Sequence, residues 1–260
     1  MKLADMYSEA CGPADRLVLL YDGLLDTSRK KVRTELRDKF YRAKLTKWPQ
    51  YAGLWRSQNA SIAIYGTNDS GLSQRDFTSD ALVTLLKAAL VLQMAAVDKV
   101  LHDAVVKRFT KLVKNEKLDD RVRINLSDSY QVAVDSQKRS GKGGRVRKRA
   151  GALLKAEVID GLYRKPYLSL DEVIKTCTLC GKKDIFARFR ASGRTTASKD
   201  SLTSRWEKLY AMRNHIAHEC DIIRKTKARK VHFHERTAKE LKEDIAFVKS
   251  VGEFISSELQ

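Results

Sequence analysis

Residues 81–106 read ALVTLLKAALVLQMAAVDKVLHDAVV, a run that is apolar on nearly every side through its first half. A helix without a polar face belongs in the interior of a helical protein, because any side left open would expose apolar side chains to water. The most apolar part, residues 81–97, contains three polar side chains and falls short of the about 20 residues that cross a bilayer. We therefore predict a core helix over residues 80–113, on which the other helices pack.

The composition of the whole chain favours the same fold class. Hydrophobic residues make up 43% of the 260 positions, while Pro occurs three times and Gly 13 times. Such a chain can form a core, which excludes wholesale disorder, and it has too few turn formers for a sandwich or barrel. We predict an all-α, antiparallel helical bundle over residues 76–260, preceded by a basic helical extension and loop over residues 1–75.

Local signals place the remaining elements. Pro13 suits the first position of a helix, so the first helix is predicted to begin there. Residues 48–74 contain Pro, Gly and Asn and are predicted to form a loop with one short strand at residues 62–65. Ser169, with Glu172 three positions later, predicts a helix start by the capping-box pattern. Further helices are predicted over residues 150–163, 201–223 and 236–259.

The last of these helices has an apolar stripe whose spacing alternates between four and three residues, which is the pattern of a seam in a helix bundle. The members of the stripe are Leu241, Ile245, Val248, Gly252, Ile255 and Leu259. This face of the helix is therefore predicted to be buried.

The chain is strongly basic, with 51 Lys and Arg against 32 Asp and Glu and a formal net charge of +19. A plain helical scaffold has no need of such an excess, whereas RNA is bound largely through contacts between basic side chains and phosphates. Residues 115–149 are predicted to be an insertion whose basic end is either a solvated loop or a non-specific phosphate contact. The predicted RNA-binding residues are Lys138, Arg139, Arg145, Arg147, Lys148 and Arg149 in that insertion, and Arg224, Lys225 and Lys227 in a later basic turn.

The N-terminal residues have no apolar region typical of a secretory signal, so we expect a cytoplasmic protein with reduced cysteines and no membrane association. Cys177 and Cys180 form a single C-x-x-C pair. A structural zinc site would need two further ligands, and a thioredoxin-like site would need a βαβ pattern, so buried thiols are the preferred interpretation. No metal or cofactor is predicted.

Residues 206–223 separate into an apolar and a polar stripe at helical spacing. Arg213 lies on the apolar stripe, where an unpaired charge would be strongly unfavourable. It therefore needs an anionic partner, either a buried carboxylate, for which Asp98 is the best candidate, or a substrate phosphate. Asn214 and His218 lie on the polar stripe, with His218 about 140° from Arg213 around the helix. The structural alternative is a buried ion pair, a surface histidine and an Asn that bonds to a neighbouring helix.

Residues 213–218, Arg-Asn-His-Ile-Ala-His, match the Arg-Asn-x-x-x-His signature of HEPN domains, on the helix before a final amphipathic helix. The helix over residues 81–106 resembles the first core helix of the RiboL-PSP branch of that superfamily. The resemblance covers the chain from residue 80 to residue 259. It implies an all-helical, homodimeric, metal-independent endoribonuclease of a toxin or phage-defence system.

The resemblance also assigns roles to two groups of residues. It implies that Arg213 and His218 are catalytic and that Asn214 supports them. Candidates for further support lie on the predicted core helix, although a structural salt bridge is the preferred interpretation of their spacing; they are Asp98, His102 and Asp103.

The predicted function is RNA cleavage by a homodimer, with an antitoxin or defence-system protein as a further partner. His218 removes the proton of a 2′-OH, the oxygen attacks the adjacent phosphate, and Arg213 stabilises the charge, which leaves 2′,3′-cyclic phosphate and 5′-OH ends. Cys220 stands where toxins silenced by nucleotidyltransferase antitoxins usually have Tyr, which argues against that form of silencing. The alternative function is a catalytically silent nucleic-acid-binding or assembly module, in which Arg213 is structural.

Overall fold

A computed structural model describes residues 2–28, 51–56, 61–66, 78–114, 166–219 and 235–260. Within these ranges the chain forms six helices and one β-hairpin. The elements are α1 (Leu3–Ser28), β1 (Tyr51–Arg56), β2 (Ser61–Gly66), α2 (Ser79–Lys114), α3 (Leu170–Leu179), α4 (Ile185–Ala191), α5 (Lys199–Glu219) and α6 (Ala238–Glu258).

The predicted all-α class is confirmed for the described part of the chain, where strand structure is confined to the hairpin. The predicted strand at residues 62–65 falls within β2. It pairs antiparallel with β1, from Tyr51 opposite Gly66 to Arg56 opposite Ser61. Residues 51–56 were predicted to be loop, and that prediction was wrong because Gly53, counted as a turn former, occupies an ordinary position in β1 opposite Ile64.

The core helix, the capped helix and the final helix are confirmed. Helix α2 matches the prediction within one residue at each end. The side chain of Ser169 accepts a hydrogen bond from Glu172 N at 3.3 Å and so caps α3. All members of the predicted stripe on α6 are buried. The predicted helix at residues 150–163 and the predicted insertion at residues 115–149 lie outside the described residues, and the division of the chain at residue 76 stays a prediction.

Helix α1 begins at Leu3, ten residues before the predicted start, and Pro13 lies inside it. A proline within a helix removes one backbone hydrogen bond and is usually unfavourable. Leu3, Tyr7, Cys11 and Ala14 are nevertheless buried at helical spacing, and the burial of that stripe offsets the cost of Pro13. The prediction took Pro13 as the start of the helix and did not consider the apolar stripe that begins at Leu3.

The described residues group into two compact units. The first unit takes in residues 1–10, 94–214 and 247–260, and the second takes in residues 11–93 and 215–246.

The first unit has an aromatic core. Trp206 of α5 is fully buried and lies edge-on to Phe186 of α4, with ring centroids 6.0 Å apart. Phe189 and Phe254 make a similar contact between α4 and α6 at 5.5 Å. Trp206 also donates a hydrogen bond from Nε1 to the carbonyl oxygen of Leu168 at 2.8 Å, which fixes the chain just before α3.

Tyr7 joins α1 to α6 within the first unit. Its hydroxyl donates to the carbonyl oxygen of Lys249 at 3.1 Å, and its ring passes over Gly252. A Cβ atom at position 252 would lie 2.6 Å from Tyr7 Cε2 and still closer to Cζ and Oη. Only glycine therefore permits this approach.

The second unit is held by apolar burial and by polar contacts between α1 and the other helices. Tyr21 is buried, and its hydroxyl lies 3.2 Å from Ser79 Oγ at the start of α2. Gln93 of α2 is fully buried and donates from Nε2 to Cys11 Sγ at 3.0 Å.

The stretch Ala81–Arg108 of α2 has the length and composition of a membrane span, with a mean hydropathy of 1.7, and it is the one such stretch in the described residues. Core helices of folded proteins have the same character. Leu86, Ala89, Leu90, Met94 and Val97 are completely buried, whereas Leu92 is 39% exposed, so packing within the fold accounts for part of the apolar sequence that predicted a core helix.

The close contact at Gly252 can be tested by adding a methyl group. Gly252→Ala should lower the free energy of unfolding by about 1–3 kcal/mol, the usual cost of overpacking, although alanine favours helix over glycine. Gly12→Ala is the matched control, because the nearest atom to a Cβ at that helical position, Arg16 Nη2, is 3.6 Å away; it should be neutral or stabilising by up to about 1 kcal/mol. Urea denaturation of both variants is the measurement, and a Gly252→Ala protein as stable as the control would contradict the contact.

Candidate active site

Helix α5 carries the predicted catalytic residues in its last two turns. Leu202, Trp206 and Leu209 anchor its first half in the core of the first unit. Arg213 follows Leu209 by one helical turn and is half-buried, whereas His218 in the final turn is exposed. The structure thus places Arg213 on the inward side of α5, as its spacing from the apolar residues predicts.

The guanidinium of Arg213 is only partly satisfied by the protein. Nη1 donates to Asn214 Oδ1 at 3.1 Å. Nε is buried and has no hydrogen-bond partner among the described residues. A buried donor without an acceptor is costly, and an arginine fork presents its donors in a geometry that matches the oxygens of a phosphate. The arrangement is therefore suited to an oxyanion ligand.

Asp98 of α2 lies at the centre of a polar cluster. Its Oδ1 accepts a hydrogen bond from the backbone N of Tyr167 at 2.6 Å and lies 3.8 Å from His102 Nε2. Burial raises the pKa of the Asp98 carboxyl above its ordinary value, and this effect outweighs His102, the Tyr167 hydrogen bond and the charge of Arg213, which all lower it. Arg213, for which Asp98 was the predicted partner, thus acts on this carboxyl through its charge, and the structure gives no ion pair between these two described residues.

His102 and Tyr167 complete the cluster around Asp98. His102 is buried, at 8% exposure, and its ring meets that of half-buried Tyr167 edge to face, with centroids 4.7 Å apart. Tyr167 was absent from the sequence-based candidates, since it follows Pro166 in an irregular segment where no periodic pattern identifies a functional face. Its position is set by Asp98, 69 residues earlier, and by the hydrogen bond from Trp206 to Leu168.

The other predicted residues are not brought into this cluster by the described contacts. Asp103 pairs with Lys99 one turn back on α2, at 2.6 Å, so the predicted supporting residues divide into Asp98 with His102 and a separate Asp103. His215, which lies between the motif residues Asn214 and His218, is half-buried. Cys220 and every predicted RNA-binding residue of the insertion and of the basic turn lie outside the described residues.

Cys177 and Cys180 are buried free thiols near the end of α3. Burial raises the pKa of Cys177 to about 12 and that of Cys180 to about 11. Both are therefore protonated and unreactive at neutral pH. In the ranges that the structure describes, no group of three or more His, Cys, Asp and Glu side chains is placed to hold a metal ion.

No protein-family model, curated protein or solved structure matches this chain.

The raised pKa of Asp98 predicts how stability depends on pH. The folded state favours the protonated carboxyl, so wild-type stability should fall as the pH rises from the unfolded pKa of about 4 through the higher folded value. Asp98→Asn keeps an acceptor for Tyr167 N and cannot ionise. The unfolding free energy of this variant relative to wild type, from urea curves at several pH values, should therefore increase as the pH is raised. If the variant instead loses stability relative to wild type as the pH is raised, the fold favours the ionised carboxylate.

Proposed function

We propose that the protein is a metal-independent endoribonuclease of the HEPN type, which cleaves RNA by attack of a 2′-OH on the adjacent phosphate. The observation that carries this proposal is the half-buried Arg213, whose Nε lacks an acceptor in the described residues and whose Nη1 is fixed by Asn214. These two residues open the Arg-Asn-x-x-x-His motif, and the remaining histidine of that motif is exposed to solvent.

Each residue has a defined task in this reaction. Arg213 binds the scissile phosphate and stabilises the negative charge that builds up on it. Asn214 Oδ1 holds the guanidinium in place. His218, in its neutral form, removes the proton of the 2′-OH. The new bond joins the 2′-oxygen to phosphorus, and the bond between phosphorus and the 5′-oxygen breaks. The 5′-oxygen takes its proton from the protonated His218 of the second subunit, and the products carry 2′,3′-cyclic phosphate and 5′-OH ends.

The charge of the chain fits an RNA substrate. The net charge of +19 favours a polyanion, and Lys138, Arg139 and the other basic residues of the predicted insertion and turn would contact its phosphates. We propose that the enzyme acts in the cytoplasm as a homodimer, within a toxin or antiviral defence system that supplies a partner to restrain it.

A catalytically silent nucleic-acid-binding or assembly module is the second candidate. It is favoured by the electrostatic effect of Arg213 on the pKa of Asp98, because an interaction with this carboxyl gives the arginine a structural role without any substrate. The two functions differ in a simple assay, since only the first predicts RNA cleavage by the purified protein in the presence of EDTA.

The catalytic assignment predicts the behaviour of three variants in that assay. His218→Ala should lower the cleavage rate by about 100- to 10,000-fold, the usual contribution of a general base, with an unchanged circular dichroism spectrum because the residue is exposed. Arg213→Lys, which keeps the charge but loses the fork of donors, should also be strongly impaired. His215→Ala, the neighbouring histidine, is the control and should still cleave. Full activity of His218→Ala would exclude the proposed base.

The wide angle between Arg213 and His218 on one helix predicts a site completed by a second subunit. Inactive Arg213→Ala and inactive His218→Ala proteins, when mixed, should regain partial activity, because one of the two sites in each heterodimer then has both groups intact. Subunit exchange is verified in parallel with differently tagged chains. If exchange occurs and no activity returns, both groups of a site belong to one subunit.

A further inference from the structure

Arg213 and Asn214 are neighbours on α5, and one hydrogen bond joins their side chains. Nη1 of Arg213 donates to Oδ1 of Asn214 at 3.1 Å. A guanidinium has donors only, so it can bond to an amide side chain through the amide oxygen alone. The bond therefore fixes which way the Asn214 amide faces, with Oδ1 on the guanidinium and the NH2 group, Nδ2, left as a donor.

This NH2 group has no acceptor in the part of the chain that the structure describes. Asn214 is half-buried, and its Nδ2 is not withdrawn from solvent as Arg213 Nε is. Nη2 of Arg213 is likewise accessible and has no hydrogen-bond partner in the described ranges. The two side chains thus offer donors to solvent, while the acceptor that they contain between them, Oδ1, is already engaged.

Covalent geometry keeps these donors close together. The oxygen and nitrogen of an amide are about 2.2 Å apart, so Nδ2 lies within about 5.5 Å of Arg213 Nη1. A phosphate has several acceptor oxygens, each of which takes a hydrogen bond of about 2.9 Å from a nitrogen donor. One phosphate can therefore bond to both side chains at once.

We propose that Asn214 is a ligand-binding residue whose NH2 group donates to one non-bridging oxygen of the phosphodiester that Arg213 binds. The proposal rests on the proposed function for the choice of RNA as the ligand, and it gives Asn214 a direct contact in addition to its hold on the guanidinium. The charge comes from Arg213 alone. The two non-bridging oxygens are therefore distinguished, because one accepts from Asn214 and the other from Arg213.

The test uses a dinucleotide that has a single phosphodiester and a methylated 2′-OH, so that it cannot be cleaved. Its two phosphorothioate isomers carry sulfur in place of one or the other non-bridging oxygen, which keeps the charge but weakens that acceptor. Binding to wild type, Asn214→Ala and His215→Ala is followed by NMR through the side-chain N–H signal of Arg213, which all three proteins retain.

Both isomers should bind wild type more weakly than the unmodified dinucleotide does. Asn214→Ala should bind the unmodified dinucleotide about 10-fold or more weakly, the usual effect of losing a hydrogen bond to a charged group. In this variant one of the two sulfur effects should disappear and the other should remain, because only one oxygen has lost its donor. His215→Ala is the matched control and should respond to all three probes as wild type does.

Several results would overturn the proposal. If both sulfur effects persist in Asn214→Ala, the residue acts only by positioning Arg213. If wild type binds both isomers as well as the unmodified probe, or binds none of them, no phosphate oxygen meets the Asn214 amide. If inorganic phosphate binds more tightly than the dinucleotide, the ligand is the free ion and not RNA. Should Asn214→Ala fail to fold, the Asn214 NH2 signal of wild type must still shift when the unmodified probe binds.

Cleavage of unmethylated RNA by the wild-type protein is measured separately. If one sulfur effect disappears in Asn214→Ala but no RNA is cleaved, the contact stands and the nuclease is refuted. If RNA is cleaved but both sulfur effects persist in Asn214→Ala, the nuclease stands and the contact is refuted.

Discussion

The candidate site depends on the half-buried carboxyl group of Asp98, which is met by groups from elements far apart in the sequence. A carboxyl that is partly withdrawn from water is stabilised where donors or cations meet it. Tyr167 N supplies a short hydrogen bond, His102 lies 3.8 Å away, and Arg213 adds a positive charge. These interactions connect α2, the segment before α3 and the inward side of α5. The same arrangement leaves Arg213 half-buried with a donor unmet by the described residues.

Sequence patterns predicted those parts of the fold whose cause is local. The periodicity of α2 and α6 and the Ser169 cap depend on residues within a few positions of one another, and the inward direction of Arg213 followed from its spacing to Leu209. The start of α1 was predicted ten residues too late because Pro13 was taken as the first position of a helix. The buried stripe that begins at Leu3 was not recognised. The position of Tyr167 could not be found in this way, since it is set by residues on α2 and α5 that no local pattern connects to it.

The positive charge of the chain is unevenly distributed. Several cations on and next to the described helices are paired with acidic side chains of α6, as Arg188 and Lys182 are with Glu258 and Arg194 is with Glu253. Most of the excess of Lys and Arg lies instead in residues 29–50, 115–165 and 220–234. Many charges of the described residues are therefore neutralised in ion pairs. The net attraction for a polyanion comes from the three segments named above.

The contact between Tyr7 and α6 bears on how the protein is made. Tyr7 bonds to residues 241 and 242 positions later in the chain, so the first helix cannot complete its packing until α6 has left the ribosome. Domains whose contacts are local fold during synthesis, whereas this one must wait for nearly the whole chain. A nascent chain that ends before Gly252 would therefore lack the part of α6 against which the Tyr7 ring packs. For the nuclease proposed above, this delay would keep an unfinished chain from cleaving the message that encodes it.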